Sequence, residues 1–182
     1  MASWNHPELG PFKFHCNAWV REIPMLGFAE TKDGTTEIEL LIEADSESDT
    51  PSAALKELAD QTIANHKSLL QFGIELLWND FHGNGPDSGM WWHGNVEHIY
   101  EILDSRFGDR ILDQPDGLYS LLEKASVIIQ ASGYGIDKPC SIIGFESPVD
   151  VEHGIGLLSD GTRIVGLGYR SDPDAYLLKP DK

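Results

Sequence analysis

Long apolar runs are missing from this chain, and basic residues are scarce. Of its 182 residues, 13 are lysine or arginine and 30 are aspartate or glutamate, a formal net charge of −17 at pH 7. A surface of that sign repels phosphate backbones and anionic lipid, which removes nucleic acid and membranes from the expected partners. It suits a basic protein or cations, and it also serves solubility alone. No stretch approaches the roughly 20 apolar residues that a bilayer span requires. The start, MASWNHPELGPF, has neither the basic head nor the apolar centre of a secretory signal. A cytoplasmic location is expected. Cysteine is nearly absent: Cys16 and Cys140 stand far apart and in no C-x-x-C or zinc-type spacing. Two reduced, mostly buried thiols are therefore expected in place of a disulfide.

The chain changes its hydrophobic period twice. In FKFHC, Phe12, Phe14 and Cys16 alternate with Lys13 and His15, and Ile38, Leu40 and Ile42 alternate with Glu37, Glu39 and Leu41. Period two over such runs predicts half-buried strands, here an antiparallel meander over about 11–44. The acids at 45, 47 and 49 imitate the start of a calcium loop. Thr50 and Lys56 stand where an EF-hand needs glycine and glutamate, so this stretch reads as a solvated linker. Thr50 as cap and Pro51 at the first helical position predict a helix over 51–81. Leu55, Leu58, Ala59, Ile63, Leu69, Leu70, Ile74, Leu77 and Trp78 form its apolar stripe. Gly73 within it marks a kink or a close approach to the sheet, and His66 reads as a packed histidine.

A second helix is expected over 96–107 behind Asn95, and a further helical turn or two from Asp116 through GLYSLLEKA. Strands then resume over about 126–169 and end in a hairpin around Asp160-Gly161. Strands, helices, strands in segregated blocks predict an α+β fold: one antiparallel sheet, meander plus C-terminal hairpins, with the long central helix on one face. Two small sheets are the alternative. The length suits one domain.

The stretch NDFHGNGPDSGMWWHGN, residues 79–95, concentrates two histidines, two aspartates, four glycines and a pair of tryptophans. Together with WNHPELGPFKF…AWV near the start and VEHGIGLLSDGTRIVGLGY near the end, it resembles a family of bacterial proteins defined as a domain of unknown function and found in planctomycetes among others. The likeness runs from Trp4 to Tyr169. It implies no cofactor and no catalytic residue. Related small α+β domains stand in bacterial toxin–immunity neighbourhoods, which implies a protein-binding role.

The plain structural reading is that the glycines and Pro86 turn the chain, Trp91 or Trp92 plugs the edge of the core and His153 hydrogen-bonds across the sheet. Beside it, three functional readings of the candidate residues stay open. Asp80, His82, Asp87 and His93, with Glu97, His98 and His153 in reach, offer oxygen and nitrogen ligands to a metal, as in a small metal-dependent hydrolase. Against this, no HExxH or comparable spacing occurs, and neither metal nor cofactor is expected. Glu152 and His153 are a potential acid–base pair, although neighbours on a strand point to opposite faces. The third reading is a non-enzymatic binding or inhibitor module. It would present Trp91, Trp92, His93, Asp87, His82, Glu152 and His153 beside an acidic surface to a basic protein.

Overall fold

The two strand blocks meet in one sheet. The computed structural model describes residues 2–107 and 112–179. Its nine strands are β1 (Ser3–His6), β2 (Gly10–His15), β3 (Ala18–Pro24), β4 (Glu37–Glu43), β5 (Glu123–Gln130), β6 (Cys140–Glu146), β7 (Ile155–Ser159), β8 (Ile164–Tyr169) and β9 (Asp172–Asp174). They lie side by side in chain order. Every pair is antiparallel except β4 with β5, which is parallel, with Leu41 beside Ile128. That junction is where the helices intervene, because parallel neighbours need a crossover longer than a turn. The architecture is α+β. No helix among the described residues is long and apolar enough to cross a membrane.

Helix α1 (Ala53–Phe81) begins two residues later than its sequence signals suggest. Ser52, not Thr50, is the cap: its hydroxyl accepts the Leu55 N–H at 3.3 Å, while Pro51 is buried just outside. The stripe predicted for it is largely buried, with Leu69, Leu70, Ile74 and Leu77 at most 1% exposed. These side chains pack with Leu40, Val127, Ile143 and Leu157 of the inner sheet face in one continuous core. Gly73 is the close approach rather than a kink. A Cβ there would lie 2.3 Å from the Leu157 Cδ1. Gly73→Ala is therefore expected to destabilise by about 1–3 kcal/mol through overpacking, although alanine is worth about 1 kcal/mol more than glycine in an open helix. Chemical denaturation decides it: a variant more stable than wild type would mean that Leu157 yields freely.

Side chains of alternate sign of pleat point away from α1. One register row on that outer face runs Val20, Leu41, Ile128, Ile142 and Leu158 across β3 to β7. Its Ile142 and Leu158 end is buried beneath Tyr134 and Ile136, in a small second cluster with Cys140 and Ala175. Its Val20 and Leu41 end is only half-buried.

Several local expectations are revised. Cys16 does not extend β2: with Asn17 it forms a two-residue turn, both at positive φ (47° and 60°), and its thiol is exposed. A hairpin turn that needs left-handed backbone at both positions overrode the alternation. Cys140 is the buried thiol of the two. The segment after Pro115 is a 3-10 helix ending at Leu121, and Glu123 already belongs to β5. The β7–β8 loop spans Asp160–Arg163 instead of two residues. The Asp160 carboxylate accepts the N–H groups of Thr162 and Arg163, both at 3.1 Å, which is a side-chain-closed turn. In the acidic stretch 45–49, Asp49 offers its carbonyl to the Trp19 indole N–H at 2.7 Å. His66 is packed as expected, stacked on Phe28, with Nε2 accepting the Gly27 N–H at 3.0 Å.

Candidate functional site: the tryptophan loop and its aspartate–histidine pairs

Helix α1 ends on a buried carboxylate. Asp80 lies in its last turn at 1% exposure, where an ionised group requires full pairing. It receives that pairing from the loop that follows. Oδ2 accepts the Ser88 hydroxyl at 2.6 Å and the Trp92 indole N–H at 2.8 Å, and Oδ1 accepts His93 Nδ1–H at 2.6 Å. The Asp80 carbonyl closes the neck of the loop by accepting the N–H groups of Gly83 at 3.0 Å and Gly94 at 2.8 Å. Those two glycines are both left-handed, φ +67° and +64°, and a Cβ on Gly83 would come within 3.1 Å of the Gly94 Cα. The left-handed backbone favours glycine on both sides of the neck, and close approach adds to this at Gly83. The loop is a compact Ω-type excursion tied to one anion.

The adjacent tryptophans have opposite fates. Trp92 is fully buried, edge-on to Phe81 and to Tyr169 of β8. It has no surface to offer a partner. Trp91 is partly exposed, and its indole N–H donates to Asp150 Oδ2 at 3.1 Å. Asp150 belongs to the turn before β7, so this bond fastens the loop to the other flagged segment, VEHG.

Within that turn the histidine's partner is Asp150, not Glu152. His153 Nδ1 and its backbone N–H approach Asp150 Oδ1 at 3.1 and 3.0 Å, and the ring packs on Tyr169 with centroids 4.5 Å apart. Glu152 is exposed and only its N–H takes part, donating to Asp150 at 3.2 Å. The segment is a turn, not a strand, so the opposite-face argument does not apply. A carboxylate at position one accepting N–H groups two and three residues on is an Asx turn. Asp150 carried no other signal in the sequence, and Ser88 likewise gains its role only from the returning loop.

Of the remaining candidates, Asp87 and His98 stay beside the loop, His98 edge-on to Trp91, and His82 turns back onto α1. His82 stacks on Trp78, ring centroids 4.3 Å apart, and its Nδ1 donates to the Trp78 carbonyl at 2.8 Å. Asp87 accepts the Gly89 N–H at 2.7 Å and lies 3.8 Å from His93 Nδ1. His98 pairs with Glu101 at 3.1 Å on α2 (Val96–Phe107), where Glu97 occupies the first turn. Among the described residues no group of three histidine, cysteine or acidic side chains is placed to hold a metal ion. Protein prepared without added metal is expected to contain no stoichiometric transition ion and to melt at the same temperature with a chelator. Elemental analysis finding about one ion per chain would overturn this.

Two oriented Asp–His pairs therefore flank Tyr169 and the tryptophan pair. Burial of Asp150 acts to raise its carboxyl. The hydrogen bonds from His153 N–H, Trp91 and the His153 ring, together with the charge of that ring, outweigh it and leave the group below its ordinary value. A folded value below the unfolded one, about 3.9, means the contribution to stability is complete above that pH and fades as pH falls through the folded value. Asp150→Asn should flatten the acid limb of a stability–pH curve in that window; an unchanged limb would remove Asp150 from the linkage.

A cleft of about 580 Å³ lies elsewhere, lined by Glu30, Asp113, Asp116, Tyr119 and neighbours. Burial first, then Glu30, Asp116 and Glu75, push the Tyr119 phenol up to about 12. None of its lining residues belongs to the loop or to the VEHG turn. Set against protein-family models, curated proteins and solved structures, the chain matches none of them.

Proposed function

We propose that the protein is a non-enzymatic, cytoplasmic protein-binding module, immunity- or inhibitor-like, that takes a basic partner. The observation that carries the reading is how the chemical groups of the loop are spent. The Asp80 carboxylate is enclosed by three side-chain donors of its own loop, and Asp150 is enclosed by its own turn and Trp91. These pairs have the geometry of fasteners, while the surface keeps a large excess of acids over bases. Small α+β domains related to the family that the sequence resembles stand in toxin–immunity neighbourhoods, which supports the same reading. Charge of this kind speeds encounter with a cationic surface. Trp91 is the part of the tryptophan pair with surface to spend on a contact.

The test uses a partner recovered from the native host. Its association should slow as salt rises, because exposed charges are screened beyond ~8 Å at physiological ionic strength. Trp91→Ala should chiefly speed dissociation, with circular dichroism and a melt confirming the fold. A salt-indifferent association rate would remove the acidic surface from the reading, and unchanged dissociation of folded Trp91→Ala would remove the loop.

A further inference from the structure

We propose that the open half of the outer sheet face, Val20, Leu41 and Ile128 bordered by Glu22, Glu39 and Glu43, is the docking surface for that basic partner, which lays an apolar strip flanked by lysine or arginine across β3 to β5. The inference rests on the protein-binding reading and gives it an address.

Four observations converge on this face. The first is register: Val20, Leu41 and Ile128 are direct neighbours across three strands, and residues two positions away along a strand share their face. Glu22, Glu39 and Glu43 therefore border the same row. The second is an unfinished roof. The row continues into Ile142 and Leu158, which are buried under Tyr134 and Ile136, but the cover stops at Ile128, and Val20 and Leu41 are left half-exposed.

The third is a repulsion retained inside the sheet. Glu22 and Glu39 stand directly opposite each other, both exposed, and none of the ion pairs among the described residues involves either. Like charges in that relation destabilise a sheet. A lysine or arginine inserted between them would turn the repulsion into attraction. The fourth is that the cations on and around this face form no ion pair with its glutamates among the described residues. Arg170 crosses this face over Gly144 to donate at 3.1 Å to the hydroxyl of Ser126, the neighbour of Glu39, and approaches Glu146 at 3.7 Å; Lys124 pairs with Glu146 at 2.8 Å, and Lys13 is the direct neighbour of Val20 on β2. None is paired with the glutamates of the row. Strands β3 to β5 are interior, so a partner gains no backbone ladder here; recognition is by side chains, apolar on apolar and cation on glutamate.

The experiment titrates isotopically labelled protein with two capped seven-residue peptides, one alternating lysine with leucine, the other lysine with serine, at low and physiological salt. The leucine peptide should saturate, move the amide resonances of Val20, Glu22, Glu39, Leu41 and Ile128, and bind at least about tenfold tighter than the serine peptide, the effect of one well-buried leucine. Glu39→Gln should raise the melting temperature of the free protein while weakening the peptide severalfold. Leu41→Lys should abolish the preference for leucine over serine; if it fails to fold, Val20→Thr is expected to reduce the same preference. Equal binding of the two peptides, or shifts centred on the Trp91 loop or on Asp45–Asp49, would overturn the docking face and leave the protein-binding reading standing. No saturable binding of either peptide even at low salt would overturn both.

Discussion

Asp80→Ala is expected to cost about 3–5 kcal/mol, the range for breaking one side of a buried charged cluster. The substitution strands the Trp92 indole N–H, the Ser88 hydroxyl and His93 Nδ1 around a carboxylate site that water does not reach. Each unpaired buried group carries its own desolvation cost, about 1–3 kcal/mol. Asp80→Asn should cost distinctly less. Its amide oxygen can stay with Trp92 and Ser88 while its NH2 group faces His93, whose Nδ1 becomes an acceptor in the other tautomer. The gap between the two variants in urea denaturation measures hydrogen bonding against charge. Equal losses would show that the anion itself holds the loop, and a near-neutral Asp80→Ala would show that the loop contributes little.

The second large effect belongs to the helix–sheet core. Leu69→Ala and Leu77→Ala should each cost ~2–5 kcal/mol, lost transfer energy plus the cavity left behind. Both side chains are 1% exposed in the one continuous cluster that joins α1 to the sheet. Phe72 stands on the same helix at 49% exposure, and Phe72→Ala should stay within about 0.5 kcal/mol. Wild-type-like denaturation of both leucine variants would refute the packing described for α1.

Where many weak signals repeat, the sequence is readable. The leucine stripe of α1 repeats its period for eight turns, so its far end at Phe81 was legible and its start was misplaced by two residues at a single cap. The helix over 96–107 is also where its period puts it. β1 was not legible, because Ser3–His6 is too short and polar to show a period. It is held by pairing with β2 and by Trp4 and His6 packing around Phe12. β9 is three residues containing Pro173, which suits only a sheet edge. The loop announced itself by composition, yet nothing local distinguishes Trp91 from Trp92. The choice is made by Asp80 and Tyr169, which reach Trp92 from α1 and β8. Asp150 lacked a motif because its partners, Trp91 and His153, arrive from two directions.

The order of the strands carries a kinetic consequence. Because every pair of neighbouring strands except β4 and β5 is joined by a loop or a single 3-10 turn, the two meanders can each assemble from short-range closures, which are fast. Only the parallel seam between β4 and β5 must wait for the helical insertion to fold back, since its loop-closure entropy is met before any contact rewards it. Refolding should therefore be limited by that seam. Substitutions at Leu40 or Val127, which meet across it, should slow refolding in proportion to the stability they remove, whereas those in the β7–β8 hairpin should chiefly hasten unfolding.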